Sequence, residues 1–414
     1  MQRYSFLSIL RHALYGHRRW QPAWRDPQPR RSYDVVVIGG GGHGLATAYY
    51  LARHHGIRNV AVLEKGWIGG GNSGRNTQVV RSNYFYKAST DFFEHSLRLY
   101  ERLGLELNFN VMLRQHGIVN LAHSRHELEM HRRWATAIRV NGVDSEILTR
   151  EEIKKLVPII DLDCRLPVVG GFIQRRGGIA RHDAVVWAFA RAADALGVHI
   201  LQGCEVTGFR RSGDRILAVE TSRGVIEADR FCMNVAGHSS VLAQMAGFRL
   251  PLTSMALQAM VTEPTAPVLD PTVFSTSIHC YVSQTDRGEV LIGAGADVYN
   301  SYAQRGSLAV TEDAITAVLE LFPSFSRLRL MRQWAGIVDI SPDTSPIMGK
   351  TPIANLYINC GWGTGGYKAI PAGGDTMAYT IANDRPHPLI VPFGLDRFER
   401  GALIDEGAAA GVAH

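Results

Sequence analysis

At 414 residues, with 46% hydrophobic and 20% charged side chains, the chain exceeds the usual size of one domain and has the make-up of a globular protein. Its net charge of +6 sits in the head, where residues 1–31 carry seven arginines and one acid, Asp26; the remainder is formally neutral. That excludes a nucleic-acid surface, which needs basic residues spread over a folded face. No run of about 18 apolar residues offers a membrane span, and five scattered cysteines without a C-x-x-C pair exclude a disulfide framework or a metal site and point to a reducing, cytoplasmic setting.

The Arg-rich, acid-poor head (1–31) has the composition of a transit peptide. Two readings stand, a cleaved targeting segment and an arm that docks on a partner; Trp20 and Trp24 speak against a solvated tail, and the arm is adopted. Residues 34–44, DVVVIGGGGHG, then read as strand and turn. Val35–Ile38 is a β-branched run suited to a buried parallel strand. Gly39, Gly41 and Gly44 have the G-x-G-x-x-G spacing, which permits a tight turn, approach of a pyrophosphate, and close packing of helix on strand. A helix is predicted over 45–54, its positive end toward the pyrophosphate. Glu64, closing the next strand, is placed to accept from ribose hydroxyls. Together these segments predict a bound dinucleotide.

Residues 69–84 form a polar, Gly-rich loop around the cofactor. Apolar spacing predicts a helix over 91–107, and Ser124/Glu127 and Thr149/Glu152 read as two capping boxes, the second helix stopped by Pro158. A helix over 184–196 follows, with Asp183 as N-cap and Gly197 as stop. Short strands come next at 200, 206, 216–219 and 230–235. Segments within 252–335 alternate as antiparallel strands, with a turn at 286–288. LYINC (356–360) is a strand, GWGTGG (361–366) a glycine loop, and the stretch beyond it a helix. The nucleotide domain is therefore expected in separated pieces, 32–90, 166–250 and 336–395. Segments 91–165 and 251–335 supply the substrate domain, and 396–414 is a tail.

The glycine fingerprint, Glu64, NSGRNTQVVR, DISPDTSPIMGK and NCGWGTGGYK resemble the flavin-dependent amine and amino-acid oxidoreductases of the D-amino-acid oxidase superfamily. Four stretches sharpen this: GGGGHGLATAYYLA, GGIARHDAVVWAFARAA, HCYVSQTDRGEVLIGAGAD and the tail resemble the β subunits of heterotetrameric sarcosine oxidases. The resemblance implies an α/β fold, a Rossmann-like FAD-binding domain with a second, mainly antiparallel-sheet substrate domain. It implies non-covalent FAD and an FMN joined covalently to His182. Cofactor-binding candidates are Gly39, Gly41, Gly42, His43, Gly44, Glu64, Lys65, Asn72, Ser73, Arg75, Thr77, Val79, His182, Val206, Gly361, Gly363, Thr364, Gly366 and Lys368.

By the same correspondence Lys368 and Arg81 hold a substrate carboxylate, with Tyr281 in the substrate wall; these three are the candidate catalytic residues. The implied reaction converts sarcosine to glycine. Electrons pass from FAD to FMN and then to oxygen, giving hydrogen peroxide, and the methylene group goes to tetrahydrofolate or leaves as formaldehyde. Implied partners are sarcosine and the α, γ and δ subunits, docked through the head and the GAAAGVAH tail. Two departures from single-subunit relatives stand out. GIVDISPDTSP has no cysteine for a covalent FAD, and GEVLIGAG has no lysine to speed reaction with oxygen. The alternatives are a single-flavin dehydrogenase or oxidase of another secondary or D-amino acid, and a non-catalytic FAD-bearing scaffold.

Overall fold

The computed structural model describes residues 5–18 and 22–404. Trp20 and the tail beyond 404, both named above for docking, lie outside them. The first sheet is built on parallel strands, β11 (Gly224–Met233), β1 (Ser32–Ile38), β2 (Val60–Glu64) and β8 (His199–Gln202). It continues past β11 through parallel β18 (Leu356–Cys360) to antiparallel β17 (Ile347–Lys350), while β9 (Val206–Ser212) and β10 (Arg215–Thr221) branch from β11 as antiparallel strands. The second sheet runs β16 (Leu330–Ile340), β12 (Thr253–Pro264), β15 (Glu289–Ala296), β14 (Cys280–Gln284), β13 (Thr272–Ser275), β4 (Ile118–Ala122), β6 (Gly170–Gln174) and β5 (Glu146–Leu148). Only its β13–β4 pair is parallel. A short ribbon, β3 (Val79–Val80) with β7 (Gly178–Ile179), stands apart.

The helices are α1 (Phe6–Leu14), α2 (Gly42–His54), α3 (Lys87–Glu106), α4 (Arg125–Val140), α5 (Arg150–Leu156), α6 (His182–Ala195), α7 (Ser239–Ala246), α8 (Leu308–Leu321) and α9 (Ile370–Asn383). None is long and apolar enough to cross a membrane. β1 is buried on both faces, as a central parallel strand must be: Val35 and Val37 face α2, α6 and α9 in one core, Val36 and Ile38 face α7 in another. A third core fills the space between the second sheet and α8.

The predicted α/β architecture with two sheets is present, with local corrections. The first glycine-rich turn passes directly into α2, which starts at Gly42 with Gly41 as N-cap rather than at residue 45. α3 starts at Lys87 rather than 91. α6 is capped by Arg181, not Asp183; the Asp183 carboxylate instead pairs with Arg181 at 2.8 Å and takes the Ala184 N–H. Thr149 and Glu152 form a full capping box, but Glu127 accepts from the His123 N–H rather than from Ser124, leaving that box half made. β6 belongs to the second sheet, although the boundary at 166 assigned it to the nucleotide domain.

In the head, α1 has Ser5 as N-cap and buries none of its residues; Phe6, Leu7 and Leu14 are all more than 70% exposed. Beyond it the chain lies along the nucleotide part. Arg25 bonds the Asp194 carboxylate at 2.8 Å and the Val198 carbonyl at the end of α6, and Trp24 packs against the first core.

Candidate active site

A cavity of about 1180 Å³ runs from the carboxyl ends of β1, β2, β11 and β18 to the facing side of the second sheet. That edge is where open α/β sheets take their ligands. Close packing brings the fingerprint there: a Cβ on Gly44 would lie 1.9 Å from the Gly39 carbonyl oxygen, so only glycine lets α2 settle on β1. Gly39, Gly41, Gly42 and His43 line the cavity, as do Glu64, Lys65, Asn72, Ser73, Arg75, Thr77, Val79, Arg81, Val206, Tyr281, Gly363, Thr364, Gly366 and Lys368. Gly44, Gly361 and His182 do not. Gly44 acts through packing, and Gly361 turns the chain out of β18 while donating its N–H to Asp339.

The loops around the nucleotide end are cross-tied. Glu64 accepts the N–H groups of Gly40 and Gly66 at 2.9 and 2.8 Å, Ser73 accepts the Gly42 N–H at 2.9 Å, and Arg75 holds the carbonyls of Gly70 and Gly71. Lys65 Nζ lies 3.3 Å from His238 Nε2. These contacts preform a cradle of closely packed glycines, the start of α2 and one carboxylate that fits the pyrophosphate and ribose of FAD.

At the other end lie two buried cations. Lys368 is enclosed, 6% exposed, and its ammonium donates to the Thr364 carbonyl at 3.0 Å. Burial, then the neighbouring Arg81, holds its pKa well below the ordinary lysine value. Arg81 bonds Asn83 Oδ1 at 2.6 Å and lies over the rings of Tyr84 and Phe274, 4.7 and 5.8 Å from their centroids. Neither cation meets a carboxylate among the described residues. Such a pair invites an anion.

The wall opposite comes from the second sheet. Tyr281 stacks on Phe274, 5.0 Å between centroids and 15° apart, and donates to Thr77 Oγ1 at 2.7 Å. Its ring lies where a Cβ on Gly293 would stand, so that strand position has to be bare. No lysine of the second sheet lines the cavity. Sequence reasoning missed Tyr84, Phe274 and Trp362, which look like ordinary core aromatics in a one-dimensional pattern. It also missed Asp339. That carboxyl, 2% exposed, accepts the Gly361 N–H at 2.5 Å, and burial pushes its pKa up to about 7 against the pull of those amide hydrogens. An acid followed by S-P-D-T-S-P before a glycine loop was the available signal.

His182 opens α6, outside the cavity. Its Nδ1 is buried without a hydrogen-bond partner among the described residues, and burial lowers its pKa, favouring the neutral ring. The segment before it is tied to the glycine loop by Tyr367, whose hydroxyl donates to the Ala180 carbonyl at 2.6 Å.

A dinucleotide cradle at a sheet edge, facing a buried cation pair across one cavity, is the plan of a flavin oxidoreductase, and the chain belongs to the FAD dependent oxidoreductase family, whose model matches residues 34–380. Within that family it groups with sarcosine oxidase β subunits. It is 51% identical to the sarcosine oxidase subunit beta of Rhodobacter capsulatus over the whole of both chains. It is 54% identical to that of an Arthrobacter species over 94% of this chain and 97% of the other. Among solved structures, L-proline dehydrogenase from P. horikoshii superposes with a TM-score of 0.85 at 27% identity, over 91% of this chain and all of that one.

Proposed function

We propose that this chain oxidises sarcosine to glycine as the flavin-bearing subunit of a hetero-oligomer. The observation that carries the reading is the pair Lys368 and Arg81, buried at the cavity end away from the dinucleotide cradle and unmatched by any acid among the described residues. A small zwitterion fits. Arg81 presents a planar donor fork and Lys368 a point charge to its carboxylate, while the stacked Phe274 and Tyr281 close the apolar side around the N-methyl group. The substrate loses a hydride equivalent from its methyl carbon and a proton from its neutral amine nitrogen and becomes an imine, whose methylene is taken by tetrahydrofolate or released as formaldehyde on hydrolysis. When bound, FAD supplies the acceptor for that hydride, and FMN on His182 the outlet of electrons to oxygen as hydrogen peroxide.

His182 suits a tether. A neutral imidazole is a nucleophile near pH 7, its Nδ1 has no competing partner, and Tyr367 keeps its segment close to the glycine loop. The absence of a sheet lysine at the cavity supports oxygen reduction elsewhere than at FAD. We assign the α, γ and δ subunits as partners, with exposed α1 as one docking element. Five free, buried cysteines support a cytoplasmic setting. The segments on the two sheets serve as FAD and substrate domains respectively. Intact mass of the denatured chain tests the assignment: an added FMN is expected, absent in His182→Ala, and a bare mass for the native chain would falsify the tether.

A further inference from the structure

His43 stands in the middle of the glycine fingerprint, yet its hydrogen bonds run away from it. Its ring stacks on Trp362, 4.8 Å between centroids and 24° apart. Trp362 Nε1, a donor only, gives its hydrogen to Asn359 Oδ1 at 2.7 Å, which fixes the orientation of that amide. Asn359 Nδ2 therefore donates, to Asn234 Oδ1 at 3.0 Å and to His43 Nδ1 at 3.2 Å. With Nδ1 accepting, the imidazole proton resides on Nε2 and is donated to the Gly366 carbonyl at 2.8 Å. Burial lowers the His43 pKa to about 4, so this tautomer persists across the working pH range.

Gly366 begins the turn that presents Lys368. Each of its three carbonyls is taken by a different side chain: Gly366 by His43, Tyr367 by the Tyr100 hydroxyl at 2.7 Å, Lys368 by the Ser96 hydroxyl at 2.6 Å. Tyr100 and Ser96 both come from α3. His43 alone comes from α2, and so it alone joins the helix N-terminus that faces the pyrophosphate to the turn that carries the substrate cation.

We propose that His43 is a positioning residue for Lys368, coupling the dinucleotide-binding turn to the carboxylate site. The proposal rests on Lys368 as the carboxylate-binding lysine. Removing the Nε2 donor leaves the Gly366 carbonyl with only the longer bond from the Ala369 N–H, at 3.3 Å, and the turn loses its tie to α2.

The test uses the assembled holoenzyme and methoxyacetate, the ether isostere of sarcosine with no amine to oxidise. His43→Phe keeps a ring against Trp362 but removes both hydrogen bonds. It is expected to retain FAD, by flavin absorbance per chain, while the KM for sarcosine and the Kd for methoxyacetate each rise about fivefold, the scale of one net hydrogen bond lost. His43→Gln, whose amide nitrogen reaches the Nε2 position, should recover most of both losses with kcat little changed. Unchanged constants in His43→Phe, FAD lost together with them, or no recovery in His43→Gln each overturn the proposal. Should His43→Phe fail to fold, Asn359→Ala frees Nδ1 while leaving the ring stacked; the same two constants then rise severalfold with FAD retained, and constants equal to the parent's reject the idea. Lys368→Met serves as the separate control. Normal methoxyacetate binding there would remove the lysine from the site, whatever His43 does.

Discussion

Lys368 and Asp339 are both wholly enclosed, and each is displaced from its ordinary titration range in the direction burial dictates. For Lys368 the charged form is disfavoured in the free site and restored by a bound carboxylate. Affinity is therefore present at low pH and lost as the pH rises through the depressed value. The KM for sarcosine is expected to climb with pH in the parent and to stay flat in Lys368→Arg, whose guanidinium remains charged; initial rates at several pH values decide it. Asp339 is displaced upward instead, yet its contribution also fades as the pH rises. Its folded-state pKa of about 7 stands above the ordinary 3.8, so the folded chain binds more protons in between, and stability falls as pH rises through 7. Asp339→Asn keeps an oxygen for the Gly361 N–H but has nothing to titrate. Its melting temperature between pH 6 and 8 should change less than the parent's, and an equal slope in both would clear this carboxyl of the effect.

Local patterns determined most of the elements. A β-branched run, a glycine triplet and an acid were enough to place β1, α2 and β2, because each signal answers a constraint that acts within a few residues. Gly44 shows the tightness: Gly44→Ala puts a methyl group against the Gly39 carbonyl, so α2 must lift from β1. Loss of FAD from the purified protein is expected, read as flavin absorbance per chain, and full occupancy would mean that the contact yields. Helix starts were less legible. Asp183 has the composition of an N-cap, but Arg181 draws its carboxylate aside into an ion pair and the helix begins two residues early. The placement of β6 was illegible for another reason: GGFIQ is buried at every position, and only pairing with β4 and β5 says which sheet receives it. Aromatic walls fail to announce themselves in the same way. Phe274 and Tyr281 meet across β13 and β14, a relation set by register rather than by spacing along the chain.

The molecule as a whole is closed by its last described segment. Arg397 lies fully buried against Asp343, with two contacts of 2.8 Å to the carboxylate and further bonds to the carbonyls of Phe393 and Ser345. Burial alone would raise the Asp343 pKa, but the guanidinium outweighs it and holds the group below its ordinary value. Arg397→Met removes the guanidinium and strands that carboxylate, so a loss of about 3–5 kcal/mol is expected in urea unfolding; a loss within 1 kcal/mol would show that water or another donor reaches Asp343.

The two residues after Asp343, Thr344 and Ser345, line the cavity, whose other walls are drawn from positions as early as Ile38 and as late as Ile370. During synthesis Asp343 therefore precedes its partner by 54 residues, and the crevice stays half-walled until Ile370 has emerged. A truncation between Ile370 and Arg397 is thus expected to keep every residue that lines the cavity and to lose the ion pair that latches the last described segment to Asp343.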